Sequence, residues 1–497
     1  MTRRATALLA VAVATGGLAI TALPSARATS SATVEVYPAT PSGDFTLHGR
    51  GYGHGHGMSQ WGAYGAASVR HLTGAQIVHF YYPHTKLVAR TGVGAIRVDL
   101  SAAQSFDTGY LQVAPAKGMT VTWGTTTYPL PTERRKHAVT AWRLVKVSAK
   151  VLQLKARAGG AWHRMRQPGA VATFHDTAAS IPVVVPGGQT RAYRGRVTAE
   201  LESGVVETVN TVSMTSYLKS VVPMEMPASW SAAALQAQAI AARTYAEHAM
   251  AFPHASWFDI YGDTRDQAYG GVAGESAAST AAVRATDQEV LETSGGSPIL
   301  AQFSAADGGW TSAGGASYLP AQRDPYDGLI ANSSHAWTTT VSAAAVESLA
   351  PSIGKLKDLE VTGRNGDGIW GGRVTGIRLI GSAGSATVDP TTFEFDLGLR
   401  STWWRPTPTP AAPRGITATA SGKTVTVTWK PPSSVSGSAA VTGYLVKLSP
   451  SGKHRTVAAS ARTVSIGKLT PGTRYIVTVV ARSAAGNGPA GKTSVTP

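Results

Sequence analysis

Apolar and polar positions follow different periods along the chain. From Ile96 to about Val212 they mostly alternate, which predicts strands, with turns such as Pro186-Gly187-Gly188 between them. Between Ser231 and Ala251 the chain is alanine-rich and places Leu235, Gln238, Ala242 and Tyr245 on one side, which predicts a long helix capped by Ser229 or Ser231. Ser68 to His79 suits a second helix, ended by Tyr81-Tyr82-Pro83. Mixed strands and turns then run to Leu399. Further on, Val425, Val427 and Trp429 alternate with threonines, and Tyr444, Val446 and Leu448 alternate again. Leu469-Thr470-Pro471-Gly472-Thr473-Arg474-Tyr475 precedes Val477, Val479 and Ala481. A Trp on an early strand and a Tyr at a late corner suit an antiparallel sandwich. Pro406-Thr407-Pro408-Thr409-Pro410 reads as a stiff linker ahead of it. The expected fold class is therefore α+β: a mixed body with a β-rich insert, followed by an all-β sandwich. At 497 residues the chain is too long for one core.

The first residues change the setting. Arg3 and Arg4 precede the apolar run Ala5 to Leu23, and Ala26-Arg27-Ala28 offers small residues for cleavage. Residues 1–28 read as a secretory signal, so the mature protein is expected outside the cell. A membrane anchor is the alternative, but Thr15-Gly16-Gly17 weakens the run, and no other stretch is long enough to cross a bilayer. There is no cysteine, which excludes disulfides and thiolate metal sites. The formal charge is +17, yet eleven Lys or Arg and no Asp or Glu lie between Arg414 and Pro497. Discounting the three arginines of the signal, the rest of the mature chain carries about +3. A basic tail on an exported protein suggests an anionic surface, such as a cell-wall polymer or lipid headgroups. Export argues against nucleic acid.

Two stretches carry candidate chemistry. Glu225 lies in Val222-Pro223-Met224-Glu225-Met226-Pro227, where apolar neighbours would desolvate it. Desolvation raises a carboxylic acid's pKa, as a general acid at neutral pH requires. The start of the long helix would oppose that rise, and a cap or ion-pair role is the plainer alternative. The second stretch is Gly49-Arg50-Gly51-Tyr52-Gly53-His54-Gly55-His56-Gly57-Met58-Ser59-Gln60-Trp61. Its glycines would let backbone come close to a bulky polar ligand. Alternatively, His48, His54 and His56 could ligate Zn²⁺ or Cu²⁺, although the loop supplies no acid or thiolate.

The run from Tyr217 to Ala246, YLKSVVPMEMPASWSAAALQAQAIAARTYA, resembles the core motif of the SpoIID/LytB family of bacterial wall proteins. GRGYGHGHGMSQWGAYGAA, Gly49 to Ala67, resembles that family's second hallmark. DTRDQAYGG at Asp263–Gly271, FSAADGGWTS at Phe303–Ser312, DPYD at Asp324–Asp327, GGRVTGIRLIG and LGLRSTWW extend the likeness to Trp404. The resemblance implies a lytic transglycosylase acting on peptidoglycan glycan strands. One acid, Glu225, would protonate the oxygen leaving N-acetylmuramic acid, and the sugar's own C6 hydroxyl would close a 1,6-anhydro ring. That accounts for a single compelling acid, where hydrolytic glycosidases generally use two carboxylates about 5 to 9 Å apart. No metal or organic cofactor is implied.

The matching positions suggest substrate contacts at Arg243, Gln267, Tyr269, Ser304, His54, Ser59 and Gln60, with Gly308, Gly309 and Thr311 as a further cleft wall. Arg243 could instead serve a structural ion pair, and Tyr269 core packing. Trp61 is expected to pack under the loop. Three departures stand out. The Gly-His loop precedes the Glu motif, whereas in the sporulation-type order it follows. Ala233 and Gln236 replace charged residues early in the helix, and His56 replaces a small apolar residue. The C-terminal segment resembles a fibronectin type III domain. The expected division is a signal at 1–28, a body at 29–404, a linker at 405–412 and the sandwich at 413–497. Two other classes stay open: a non-catalytic wall-binding protein or amidase enhancer, and a metal-binding surface protein.

Overall fold

The computed structural model describes residues 34–39, 44–101, 109–176, 180–185, 188–433 and 438–497; the expected signal and the turn residues Pro186 and Gly187 lie outside them. The chain forms two compact units. One runs from Tyr52 to His335, and the other joins the described residues between Val34 and Gly51 to Ala336–Pro497. The stretch expected as a single body at 29–404 is thus shared between two units.

In the first unit the alternating region folds as two seven-stranded sheets. One orders the strands Ala161–Gly169, Val151–Ala158, His137–Ser148, Tyr110–Val113, Ile181–Val184 and Thr190–Tyr193, with Glu133–Arg134 paired to the third. The other runs Ile260–Tyr261, Ala95–Asp99, Val205–Ser213, Arg196–Glu202, Val171–His175, Thr120–Trp123 and Thr126–Pro129. The pairings are antiparallel except Ile260–Tyr261 on Ala95–Asp99. The strand Val151–Ala158 shows the reason for the alternation: Leu152, Leu154, Ala156 and Ala158 are buried, while Lys155 and Arg157 face outward.

Five helices complete this unit: α1 (Gln60–Arg70), α2 (Gly74–Tyr81), α3 (Met214–Glu225), α4 (Ala232–Ala251) and α5 (Ala277–Ala285). The expected helix at 68–79 is in fact two. His71 adopts a left-handed φ of 54° and closes α1. Thr73 then starts α2 through a capping box with Gln76. α4 begins after Ser231 as expected, but the Ser231 hydroxyl makes no capping bond. α4 is buried almost all round because it crosses the unit's main core with Ala63, Tyr217 and Leu218.

The second unit is β-rich. A four-stranded sheet orders Glu35–Pro38, Leu356–Arg364, Val374–Gly381 and Ser385–Val388. A three-stranded one places Asp44–Arg50 between Ala336–Ser342 and Trp404–Pro406. Pro406 is therefore a strand residue rather than free linker, and Thr407 donates its N–H to the Thr46 carbonyl at 2.8 Å. The C-terminal segment is a sandwich of three and four strands around Trp429, Tyr444 and Tyr475. The Tyr475 hydroxyl accepts the Thr470 N–H at 3.1 Å, the corner the sequence suggested. No helix among the described residues is long and apolar enough to cross a membrane.

The glycine ribbon has a packing explanation. Gly53, Gly55 and Gly57 take φ of 99°, 75° and 63° and are buried, while Tyr52, His54 and His56 between them are half-exposed. The buried edge lies on residues 302–312. Tyr52 and Ala306 exchange backbone bonds, Ser312 N–H reaches Gly55 O at 2.8 Å, and Met58 N–H reaches Gln302 O at 3.2 Å. A β-carbon on Gly57 would collide with the Gln302 carbonyl, whereas one on Gly92, whose φ is 73°, meets open space. Gly92→Ala is therefore expected to cost about 1 kcal/mol and Gly57→Ala about 3 kcal/mol in denaturant unfolding. Equal costs would mean that the contact with residue 302 is not what requires glycine.

Candidate active site around Glu225

Glu225 is the last residue of α3, a helix begun by Ser213 and carrying Pro223 inside. Proline lacks an N–H and ends helices soon after it; Met226 N–H bonds Val222 O at 2.9 Å and closes the turn. The side chain of Met226 is buried and that of Met224 is 48% exposed, so it is the tertiary packing, not both flanking methionines, that dries the acid. Glu225 is 8% exposed, and burial pushes its carboxyl up to about 7. The negative end of its own helix acts in the same direction, in place of the opposing effect expected from the start of α4.

Two donors limit the rise. Ala268 N–H reaches Glu225 Oε1 at 2.8 Å, and the Gln60 side chain hydrogen-bonds the carboxyl as well. Gln60 opens α1, so the stretch that begins with the Gly-His ribbon does come to Glu225, through its amide. Gln60 Nε2 also donates to Gln238 Oε1 at 3.4 Å, tying α1 to α4.

Ala268 is held from both sides. Gln267, 0% exposed, accepts from the Tyr217 hydroxyl at 3.0 Å and donates to the Ala242 carbonyl at 3.3 Å. The Tyr269 hydroxyl donates to Asn210 Oδ1 at 2.7 Å, and its ring lies between Tyr193 and Tyr217. Asp266 accepts from Tyr245 and from the Tyr261 N–H. The expectation that Gln267 and Tyr269 touch sugar is corrected here: both are buried anchors that aim the N–H between them at the acid.

Arg243 needs the same correction. It is 2% exposed and donates to the carbonyls of Val283, Thr286 and Glu289, closing the C-terminal end of α5. It lies about 140° around α4 from Gln238 at 3.6 residues per turn, on the side away from Gln60. Ser59 also turns inward. Its Oγ accepts the Gly62 N–H at 2.9 Å as the cap of α1.

Ser304 pairs in parallel register with Ser59, and its buried Oγ has no partner; neither has the buried Nε2 of Gln238. Both adjoin Gln60. His54 accepts the His56 N–H on Nδ1 at 2.9 Å, which leaves its proton on Nε2, and the two rings lie 4.8 Å apart. His48 sits in the second unit with its ring nitrogens on Thr338 and Thr407. Among the described residues no group of three or more His, Cys, Asp or Glu could hold a metal ion.

The FSAADGGWTS and DPYD stretches come together as a cluster of acids apart from Glu225. Asp307, Asp324 and Asp327 are buried together; the Tyr81 hydroxyl donates to Asp324 at 2.7 Å and Gly308 N–H to Asp327 at 2.6 Å. Burial beside two like charges pushes the Asp307 carboxyl well above the usual range, while His335 helps hold Asp327 below it. Gly308, Gly309 and Thr311, expected as a cleft wall, bond within this loop.

Residues 202–292 match the family model described as Stage II sporulation protein, SpoIID, and residues 411–496 that of the fibronectin type III domain. The chain carries a SpoIID domain. The SpoIID match takes in Glu225, Ala268 and their anchors, and Gln60 precedes it. Over 146 residues the chain is 35% identical to the "Amidase enhancer" of Bacillus subtilis, covering 28% of this chain and 19% of that one. Over 104 residues it is 38% identical to an uncharacterized protein of Brachyspira hyodysenteriae, covering 21% and 28%. The chain thus spans about a fifth and just over a quarter of these curated relatives. Among solved structures, the spore cortex lytic enzyme SleM of Clostridium perfringens is 19% identical over 18% of this chain and 28% of its own, at a TM-score of 0.16. The fn3 domain of the human collagen alpha-1(XX) chain is 22% identical over 18% and 85%, also at 0.16.

Two outcomes follow for the SpoIID segment. Arg243→Met is expected to lower unfolding free energy by about 3 kcal/mol in denaturant unfolding by stranding buried carbonyls. A variant as stable as the parent would show that Arg243 does not brace the end of α5. Glu225 keeps its proton in the fold up to about pH 7 but loses it near its ordinary value when unfolded. Native Glu225 therefore costs stability progressively as pH rises from about 4.5 to 7, by about 3 kcal/mol at the end. Glu225→Gln should raise the melting temperature at pH 7.5 and change it little at pH 4.5. The same shift at both values would contradict the burial of a protonated acid.

Proposed function

We propose that this protein is an exported peptidoglycan-remodelling enzyme that cleaves glycan strands at N-acetylmuramic acid without water, as a lytic transglycosylase. The observation that carries this reading is Glu225, dry, protonated to about pH 7 and bonded by Gln60 and the Ala268 N–H. Its proton passes to the glycosidic oxygen as the bond to the anomeric carbon breaks. The carboxylate then accepts the proton of the C6 hydroxyl as that oxygen closes on the same carbon, so the acid is restored. Gln60 and Ala268 stabilise the carboxylate between the two transfers, which keeps it from becoming too weak an acid to give its proton away. On this reading the helices and sheets of the first unit form a mixed α+β SpoIID-like catalytic body, with glycan strands as its partner and the cell wall as its place.

The test is digestion of purified glycan strands by the full chain, with mass spectrometry of the ends. Anhydro ends are expected, with a rate that falls about tenfold per pH unit above 7 as the acid ionises. Glu225→Gln should reduce the rate by at least about a hundredfold. Reducing ends would make the enzyme a hydrolase with a second carboxylate.

The 35% identity to a protein named amidase enhancer favours a second reading, a wall-binding activator of a separate amidase. Under it, Glu225→Gln leaves the stimulation of that amidase intact and no strand is cut by either form.

A further inference from the structure

The near-neutral average of the body hides a concentration of charge. Between Glu133 and Gly169 there are ten Lys or Arg and one acidic residue, and six of the ten cations lie on three neighbouring strands of one sheet. The register lines the cations up. Arg143 stands opposite Lys155, and Lys155 opposite Arg164, across His137–Ser148, Val151–Ala158 and Ala161–Gly169. Arg157, two positions on from Lys155, shares its face and pairs with Trp162. Like charges directly opposite in a sheet repel and weaken the pairing. None of these four forms a salt bridge among the described residues.

One member is fixed in place. The Arg143 guanidinium lies 3.7 Å from the Tyr110 ring centroid and 4.2 Å from that of Trp162, and it donates to Gln112 Oε1 at 2.6 and 3.1 Å. Arg157 and Arg164 are exposed. Among the described residues Lys155, Arg157 and Arg164 have no anchoring contact to an acid, and the like charges remain set against one another across the strands.

We propose that this face binds a linear polymer of phosphodiesters, of the polyol-phosphate type, laid across the three strands. Adjacent strands are about 4.8 Å apart, so the row Arg143–Lys155–Arg164 spans roughly 10 Å. A chain with a phosphate in every short repeat meets such a row at several points. A glycan backbone, whose acidic groups recur once per disaccharide, does not. Planar guanidinium groups pair bidentately with phosphate oxygens, which suits the three arginines around one lysine. The proposal does not rest on the reading of Glu225, since the face lies on the insert and holds none of the residues around that acid.

The experiment uses the full chain and fluorescently labelled poly(glycerol phosphate), with binding followed by anisotropy at several salt concentrations. Arg157→Gln/Arg164→Gln should bind at least tenfold more weakly, and its log–log salt slope should shrink by about 1.4, at about 0.7 per lost contact. Its melting temperature should be unchanged or higher, because repulsion is relieved. Arg157→Lys/Arg164→Lys should keep the slope and lose a few-fold in affinity. Lys447→Gln/Arg455→Gln, at two exposed residues of the C-terminal sandwich, should bind within twofold of the parent. Equal losses in the insert and sandwich doubles would overturn the proposal, leaving only diffuse attraction by net charge. Tighter binding of single-stranded DNA of the same charge would overturn the choice of polymer.

Discussion

The carboxyl of Glu225 is shut away from water at the end of α3 and met there by an amide from one direction and a backbone N–H from another. A buried acid of this kind weakens the fold at neutral pH, since the unfolded chain would ionise it freely. The surrounding core has to tolerate it, and the elements that converge on it are among the most thoroughly buried in the first unit. Tyr217 and Gln267 bond each other, Asn210 and Tyr269 tie the strand Val205–Ser213 to the loop that carries Ala268, and Gln238 links α4 to α1. Each of these bonds fixes a donor relative to the acid. Small displacements of any of them would change how readily the proton leaves.

The glycine ribbon serves this arrangement from a distance. Its buried edge lies flat on residues 302–312, which sets where Ser59 can cap α1, and the cap sets where Gln60 starts. Gly62 and Gly65 continue the same logic inside α1, where β-carbons would strike Tyr81 and the Tyr326 carbonyl. The ribbon's permissive backbone is thus used chiefly to let protein meet protein closely, while the rings of Tyr52, His54 and His56 occupy its other side.

What could be read in the chain beforehand was whatever repeats with a period or sits in a local pattern. The strand alternation between 96 and 212, the helix after Ser231 and the Trp429–Tyr475 pattern of the sandwich all rest on neighbours in sequence. Glu225 stands out in the sequence through its apolar neighbours and through the resemblance. The partners were harder. The decisive donor is the main chain of Ala268, which no side-chain pattern can announce. Gln267, Tyr269 and Arg243 carry polar groups that look available in a sequence, but the fold directs them inward to carbonyls and hydroxyls tens of residues away. The helix break at His71 turns on the Thr73–Gln76 capping box, which lies inside a pattern that otherwise runs on as one helix. The gathering of Asp307, Asp324 and Asp327, and the row of cations on the insert, depend on register and loop closure, which only the fold supplies.

The state of one proton decides between this account and a plainer one in which Glu225 is an ordinary structural acid. Isotope-edited infrared or carbon NMR titration of the Glu225 carboxyl in the intact chain reads that state directly. A midpoint near 7 that moves upward in Gln60→Ala, where a stabilising donor is gone, is the expected result. A midpoint near 4.5, or one indifferent to Gln60, would contradict it.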